Sequence, residues 1–263
     1  MEKELKTLIA SPIQNCILYI GSELAQTMLI QKNIMGLPFT RELLEKERAT
    51  ILKNNNSTAN IDLLLREQKC LEDISKKIII SKYNSINSHS LISLWSAIET
   101  VIEDTIILIF LNKKECIKYL EENNYTIKKQ KYKISPSIPL NENQAAEIYK
   151  SFEHQTKQKI IDKKISMGEE KKANIGEIYC NMMNVFELNL NLEQHEKELL
   201  TEINSIRNCI LHRGGILDDK AAKDMILKVH KVNKPIFIDN KLYLQYYEGI
   251  KKFVLLLHSK INN

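Results

Sequence analysis

An arginine and a histidine stand five residues apart in Ile206-Arg207-Asn208-Cys209-Ile210-Leu211-His212-Arg213-Gly214-Gly215. A guanidinium is planar and permanently charged, and it can hold two phosphate oxygens at once. An imidazole titrates near neutrality and can serve as base or acid. Metal-free cleavage of a ribose-phosphate link needs such groups. A base takes the 2′-hydroxyl proton, an acid protonates the leaving 5′-oxygen, and positive charge steadies the phosphorane. One copy of the stretch offers one histidine, short of two proton-transfer groups. A two-fold dimer apposing two copies would supply two His and two Arg around one cleft. In that scheme His212 is the general acid/base, Arg207 stabilises the transition state, Asn208 orients phosphate or histidine, and Arg213 helps to bind the backbone. The chain is lysine-rich with only five arginines, two of them in this stretch.

The element that must position these groups is a helix predicted over about 193–212 and stopped by Gly214-Gly215, which suit a left-handed cap. Placed around a helix, Leu199, Ile203, Ile206 and Ile210 make a core stripe, while Thr201, Ser205, Asn208 and His212 share a polar face. Asn208 and His212 are neighbours at i and i+4. Arg207 lies about 140° from His212, at the edge of the apolar stripe. The pair therefore meets only if the helix unwinds before His212 or the long arginine reaches round. A plainer reading stands beside the catalytic one. His212 can serve the helix C-terminus, where a cation meets the dipole. Arg207 can pair with an acid of the apolar segment 90–112, where Glu99 and Glu103 share a face. A carboxylate that orients Arg207 is compatible with both readings.

The Arg207-Asn208-x-x-x-His212 pattern resembles the signature of the HEPN superfamily: an arginine, often followed by a polar residue, then a histidine four to six residues on. The resemblance covers this stretch well and the helix at 90–112 loosely, and leaves out the first eighty residues. It implies an all-α, HEPN-like multi-helix bundle. It also implies a metal-independent RNA endonuclease of an antiviral defence or toxin–antitoxin system, active as a homodimer with a composite site and without a cofactor. An antitoxin or defence partner protein would fit the same picture. Some members carry a tyrosine, two positions after the histidine, that a partner enzyme modifies. Gly214 stands there in this chain, which argues against that control. The competing expectation is a catalytically inert HEPN-like adaptor that binds a partner protein or nucleic acid. An RNA-binding module without cleavage is a more remote one.

Composition bounds these readings. The chain has 263 residues, 43% of them hydrophobic, with seven Gly and five Pro, which favours long helices over a turn-rich β fold. A net charge of +5 is compatible with a polyanionic partner. The five cysteines (Cys16, Cys70, Cys116, Cys180, Cys209) contain no Cys-x-x-Cys pair, so neither a zinc site nor a disulfide framework is indicated. Dispersed histidines, no His-Glu-x-x-His and no glycine-rich phosphate loop argue against metal and nucleotide chemistry. A cytoplasmic protein without a signal peptide is expected. Leu91–Leu111 is strongly apolar, but Glu99, Glu103 and Asp104 in its middle point to a buried helix rather than a membrane span.

Along the chain, helices are predicted over 2–33, 40–53 and 59–81, with a turn at Gly36-Leu37-Pro38. A polar break at 84–90 precedes the central helix 90–112, with Ser88 or Ser90 as its cap. Residues 1–82 read as a helical arm or part of one bundle, and 83–263 as the domain carrying the motif. Further helices are expected over 142–164, within 169–186, over 219–231 capped by Asp218 or Asp219, and at the C-terminus. Residues 235–244 suggest a small β-hairpin turning at Asp239-Asn240. Lys128, Lys129, Lys131 and Lys133, interleaved with Tyr125 and Tyr132, form a candidate RNA-contacting patch, for which a solvated lysine face is the alternative.

Overall fold

Apolar residues at helical spacing dominate the chain, and the chain folds accordingly. A computed structural model describes residues 3–54, 58–113, 116–127, 140–169 and 172–262. Among these are nine helices: α1 (Lys3–Lys53), α2 (Ala59–Ile80), α3 (Asn84–Asn112), α4 (Cys116–Glu122), α5 (Glu142–Ser166), α6 (Ile175–Asn184), α7 (Gln194–His212), α8 (Asp219–Ala222) and α9 (Asn240–Asn262). The protein is thus an all-α multi-helix bundle. The only β pairing among the described residues is an isolated bridge between Ile216 and Pro235. No described helix is long and apolar enough to cross a membrane.

The bundle is built around α3. Leu91, Leu94, Trp95, Ile98, Ile102, Ile106 and Ile109 are all fully buried, so α3 is surrounded on most sides, as its near-uniform apolarity requires. α1, α5, α7 and α9 pack against it. The helix begins six residues earlier than predicted. Asn84, Asn87 and Ser90 recur at i, i+3 and i+6 and turn inward to polar partners. Asn87 is fully buried and donates to the Ile238 carbonyl (3.0 Å) and Asn240 Oδ1 (2.9 Å). Ser90 accepts from Thr27 (2.9 Å) and bonds Tyr243 (2.8 Å). What reads as a break is a buried polar seam joining α1, α3 and α9, its groups satisfied as burial demands.

Two further expectations change for local reasons. α1 runs without a break through Gly36-Leu37-Pro38. The turn carrying Pro38 is tied to α2, whose Gln68 donates to the Leu37 carbonyl at 2.6 Å. The first half of α1 buries Ile9, Ile13, Cys16 and Ile20 in the core. Its second half lies along α2, where Arg41 pairs with Glu72 (3.0 Å) and Arg48 with Asp62 (2.6 Å). The expected hairpin at 235–244 does not form. Asp239 accepts from the Leu242 amide through its side chain (2.9 Å) and from Tyr243 through its carbonyl (2.9 Å), so Asp239-Asn240 starts a helix instead of a turn. Leu242, Tyr243, Tyr246, Tyr247, Ile250, Phe253, Val254 and Leu257 then follow the helical spacing of a buried stripe.

Candidate functional site

α7 is held from three sides. α6 comes so close that a Cβ on Gly176 would lie 2.7 Å from the Lys197 Cα, so the backbones meet where only glycine fits. The Ile175 amide donates to Thr201 Oγ1 (3.2 Å). On the side of α9, Tyr246 donates to Glu202 (2.6 Å). Of the predicted core stripe Ile203 and Ile206 are buried, joined by Leu200 and Cys209, while Leu199 and Ile210 are only partly buried. The polar face is divided. Thr201 is buried, and Ser205 donates to Asp224 at 2.5 Å. Asn208 and His212, in the last two turns, remain toward the surface.

Arg207 reaches toward α3. Its Nη2 donates to Glu99 Oε2 at 3.0 Å and its Nη1 to Asn208 Oδ1 at 2.9 Å. Glu99 is fixed in turn by Trp95, one helical turn earlier, whose Nε1 donates to Oε1 at 3.0 Å. Trp95 is fully buried and stacks on Tyr179 with ring centroids 6.4 Å apart. The guanidinium therefore sits on a rigid indole–carboxylate support, with its side chain about 20% exposed. Two of its five N–H groups are engaged by described acceptors. Its Nε is buried without a described partner. Asn208 uses its oxygen on Arg207 and its amide on Asn204 (3.4 Å), so it orients the arginine. His212 is exposed at the end of α7 and bonds to no described residue.

The two carboxylates expected as partners separate in role. Glu99 holds Arg207, whereas Glu103 makes no ion pair with it. Glu103 instead faces Glu153 of α5, a residue with no signal in the sequence. Burial, and then the charges of Glu103 and Glu99, push the Glu153 carboxyl above its ordinary range. Burial likewise raises Tyr179, with Glu99 adding to the shift and Arg207 opposing it. The α3–α5 side of Arg207 is thus acidic.

The helix ends as its glycines require. Gly214 and Gly215 have φ of 61° and 75°, and the amides of Arg213 and Gly215 both bond the Cys209 carbonyl at 3.0 Å. Arg213 folds back onto Asp218 in an ion pair, and Asp218 caps α8 by accepting from the Ala221 amide (2.7 Å). α8 is far shorter than the predicted 219–231. The amides of Ile226 and Leu227 turn instead to the buried carboxylate of Glu202 (2.7 and 3.0 Å). Lys129 and Lys131 lie outside the described residues, as does Tyr132. Tyr125 is no free stacking platform: it is buried edge-on against Phe152 at 4.7 Å, with the Lys159 ammonium 3.4 Å from its ring centroid.

Among the described residues no group of three or more His, Cys, Asp or Glu is arranged to hold a metal ion. A groove of about 860 Å³ lies between α1 and a different face of α3, lined by Pro12, Tyr19, Ala97 and Thr100. Compared with known proteins, the chain matches no family model, no curated protein and no solved structure.

Proposed function

We propose that this protein is a metal-independent endoribonuclease of HEPN type, acting in antiviral defence or as a toxin, with a composite site built by two copies of the chain. The observation that carries the reading is the end of α7. A guanidinium is oriented by Glu99 and Asn208 with N–H groups in reserve, and an unpaired imidazole lies at the surface one turn beyond Asn208. Such a guanidinium can take a phosphate, and an exposed histidine can trade protons with a ribose hydroxyl. One imidazole cannot act as both acid and base in a single step. A second copy supplies the other, which makes assembly part of the chemistry.

The test is cleavage of structured RNA by the purified full-length protein in EDTA. Arg207→Ala and His212→Ala are expected to lower the rate by roughly a thousandfold, the combined scale of acid–base and charge stabilisation. Circular dichroism and molecular mass should not change. A wild type that cuts no RNA, or variants that cut normally, would end the reading.

A second reading draws on the Arg207–Glu99 pair itself. A half-buried ion pair with a buried Nε suits a structural arginine as well, and then the protein is an inert helical adaptor. In that case Arg207→Ala lowers the melting temperature and there is no cleavage to lose.

A further inference from the structure

We infer that the outward face of α1 is a self-association surface on which a second copy of this chain packs antiparallel. The inward face of α1 carries Ile9, Ile13, Cys16, Ile20 and Thr27, all buried. Opposite them, large apolar side chains stand in water: Leu18 is 71% exposed, Met28 59%, Leu29 58% and Phe39 70%. Around the helix these four fall within one arc of about 100°, together with Gly21, Ala25, Lys32 and Gly36. No described element covers that arc.

The spacing along the arc is palindromic. Leu18 and Phe39 lie equally far from the Met28–Leu29 peptide, and so do Gly21 and Gly36, and Ala25 and Lys32. A two-fold axis through that peptide lays Leu18 of one copy on Phe39 of the other, and glycine on glycine. This is the self-complementarity that an isologous interface requires. Lys32 alone breaks the apolar run. Its aliphatic stem can lie over the opposing Ala25 while its ammonium reaches the rim.

The glycines give independent support. Both lie inside a continuous helix, where glycine is destabilising relative to alanine. A Cβ at either would meet nothing within 4 Å. Gly36 lies two residues before Pro38, but Gly21 has no proline so near it, and no described intrachain neighbour requires either glycine to be small. A helix packed against this face would supply the reason. The area is also adequate. With Met35 and Leu43 at its edges (52% and 66% exposed), the stripe leaves on the order of 600 Å² of side chain in water. A stable interface buries about 600–1,000 Å² per partner, and the stripe stands at the lower end of that range.

The inference does not rest on the ribonuclease reading, because its test measures mass and crosslinks. The full-length protein should run in light scattering at twice the 30.6 kDa of one chain. Phe39→Glu and Met28→Glu should each raise the dimer dissociation constant roughly a hundredfold, the scale of a lost hot spot, with the helicity of the monomer unchanged. Ile80→Glu, 81% exposed on α2 and off the stripe, should leave the dimer intact. In a Cys70→Ser background, which removes the exposed thiol, Leu18→Cys and Phe39→Cys proteins should crosslink with each other and neither with itself. A wild type that stays monomeric at about 100 µM, glutamate variants of unchanged mass, or 18-to-18 and 39-to-39 crosslinks would overturn it. A dimer of this kind that cuts no RNA leaves the inference standing and removes only the ribonuclease.

Discussion

Glu202 and Arg207 stand on the same helix, barely more than one turn apart, and both carry charge toward the interior. Glu202 is fully buried and its oxygens are committed: they accept from Tyr246 (2.6 Å), Ile226 (2.7 Å) and Leu227 (3.0 Å). Arg207 is about one-fifth exposed and has donors to spare beyond Glu99 and Asn208. A charge whose hydrogen bonds are all met inside the fold has nothing left for a ligand, so its work is to hold the fold together. A charge that is oriented yet incompletely used can still meet something from outside. One helix thus carries an anchor in its middle and an available cation toward its end.

That contrast can be broken most directly at the anchor. Glu202→Ala strands two backbone amides and a buried phenol, and is expected to cost about 3–5 kcal/mol. The readout is a lower urea midpoint with an unchanged slope. On the proposed ribonuclease reading, cleavage per folded molecule should not move. A loss below about 1 kcal/mol would mean that the 223–230 turn does not depend on this carboxylate. The next effect is smaller and of the opposite kind. Glu99→Ala removes a partly exposed ion-pair partner, which costs about 1 kcal/mol of stability. If the ribonuclease reading holds, cleavage falls ten- to a hundredfold, the usual penalty for a misplaced group of about 1 Å. In an Arg207→Ala background the same change should do nothing further to cleavage, because the group it positions is gone.

How far the sequence discloses these two residues follows from where their partners lie. The α7 helix, its glycine stop and the Asp218 cap are written in local spacing, and all three are found. Glu99 and Glu103 were the candidate partners for Arg207, and both come from the helix that packs against it. Which one pairs depends on Trp95, whose indole claims the neighbouring oxygen of Glu99 at i+4. Glu202 gave no warning, because its partners lie 24 and 44 residues away in sequence. Only the folded chain brings a buried carboxylate to unpaired amides. The same distance effect misreads the 84–90 stretch as a break: its asparagines are polar because residues 238–243 are waiting for them. At 235–244 the residues themselves are ambiguous. Leu242-Tyr243-Leu244 alternates like a strand, and only the continuation to Tyr246, Ile250 and Phe253 reveals the helical period.

The smallest expected effect tests the acidic side of Arg207. Glu153 is raised above the ordinary carboxyl value of 4.5 by burial and by Glu103 and Glu99, so the folded state resists its ionisation. A raised folded pKa means that stability falls as pH climbs from the unfolded value through the folded one. Glu153→Gln removes that charge. It should therefore stabilise the protein at pH 7 by less than about 1 kcal/mol, the scale of a partly screened charge interaction. The gain should shrink as pH falls, and vanish below the ordinary value, where the native carboxyl is protonated in both states. In Glu99→Ala the gain should be smaller still, since one of the two repelling carboxylates has left. Urea midpoints at pH 7 and pH 4 decide it. A gain that persists at pH 4 would trace to packing rather than to repulsion from Glu103 and Glu99.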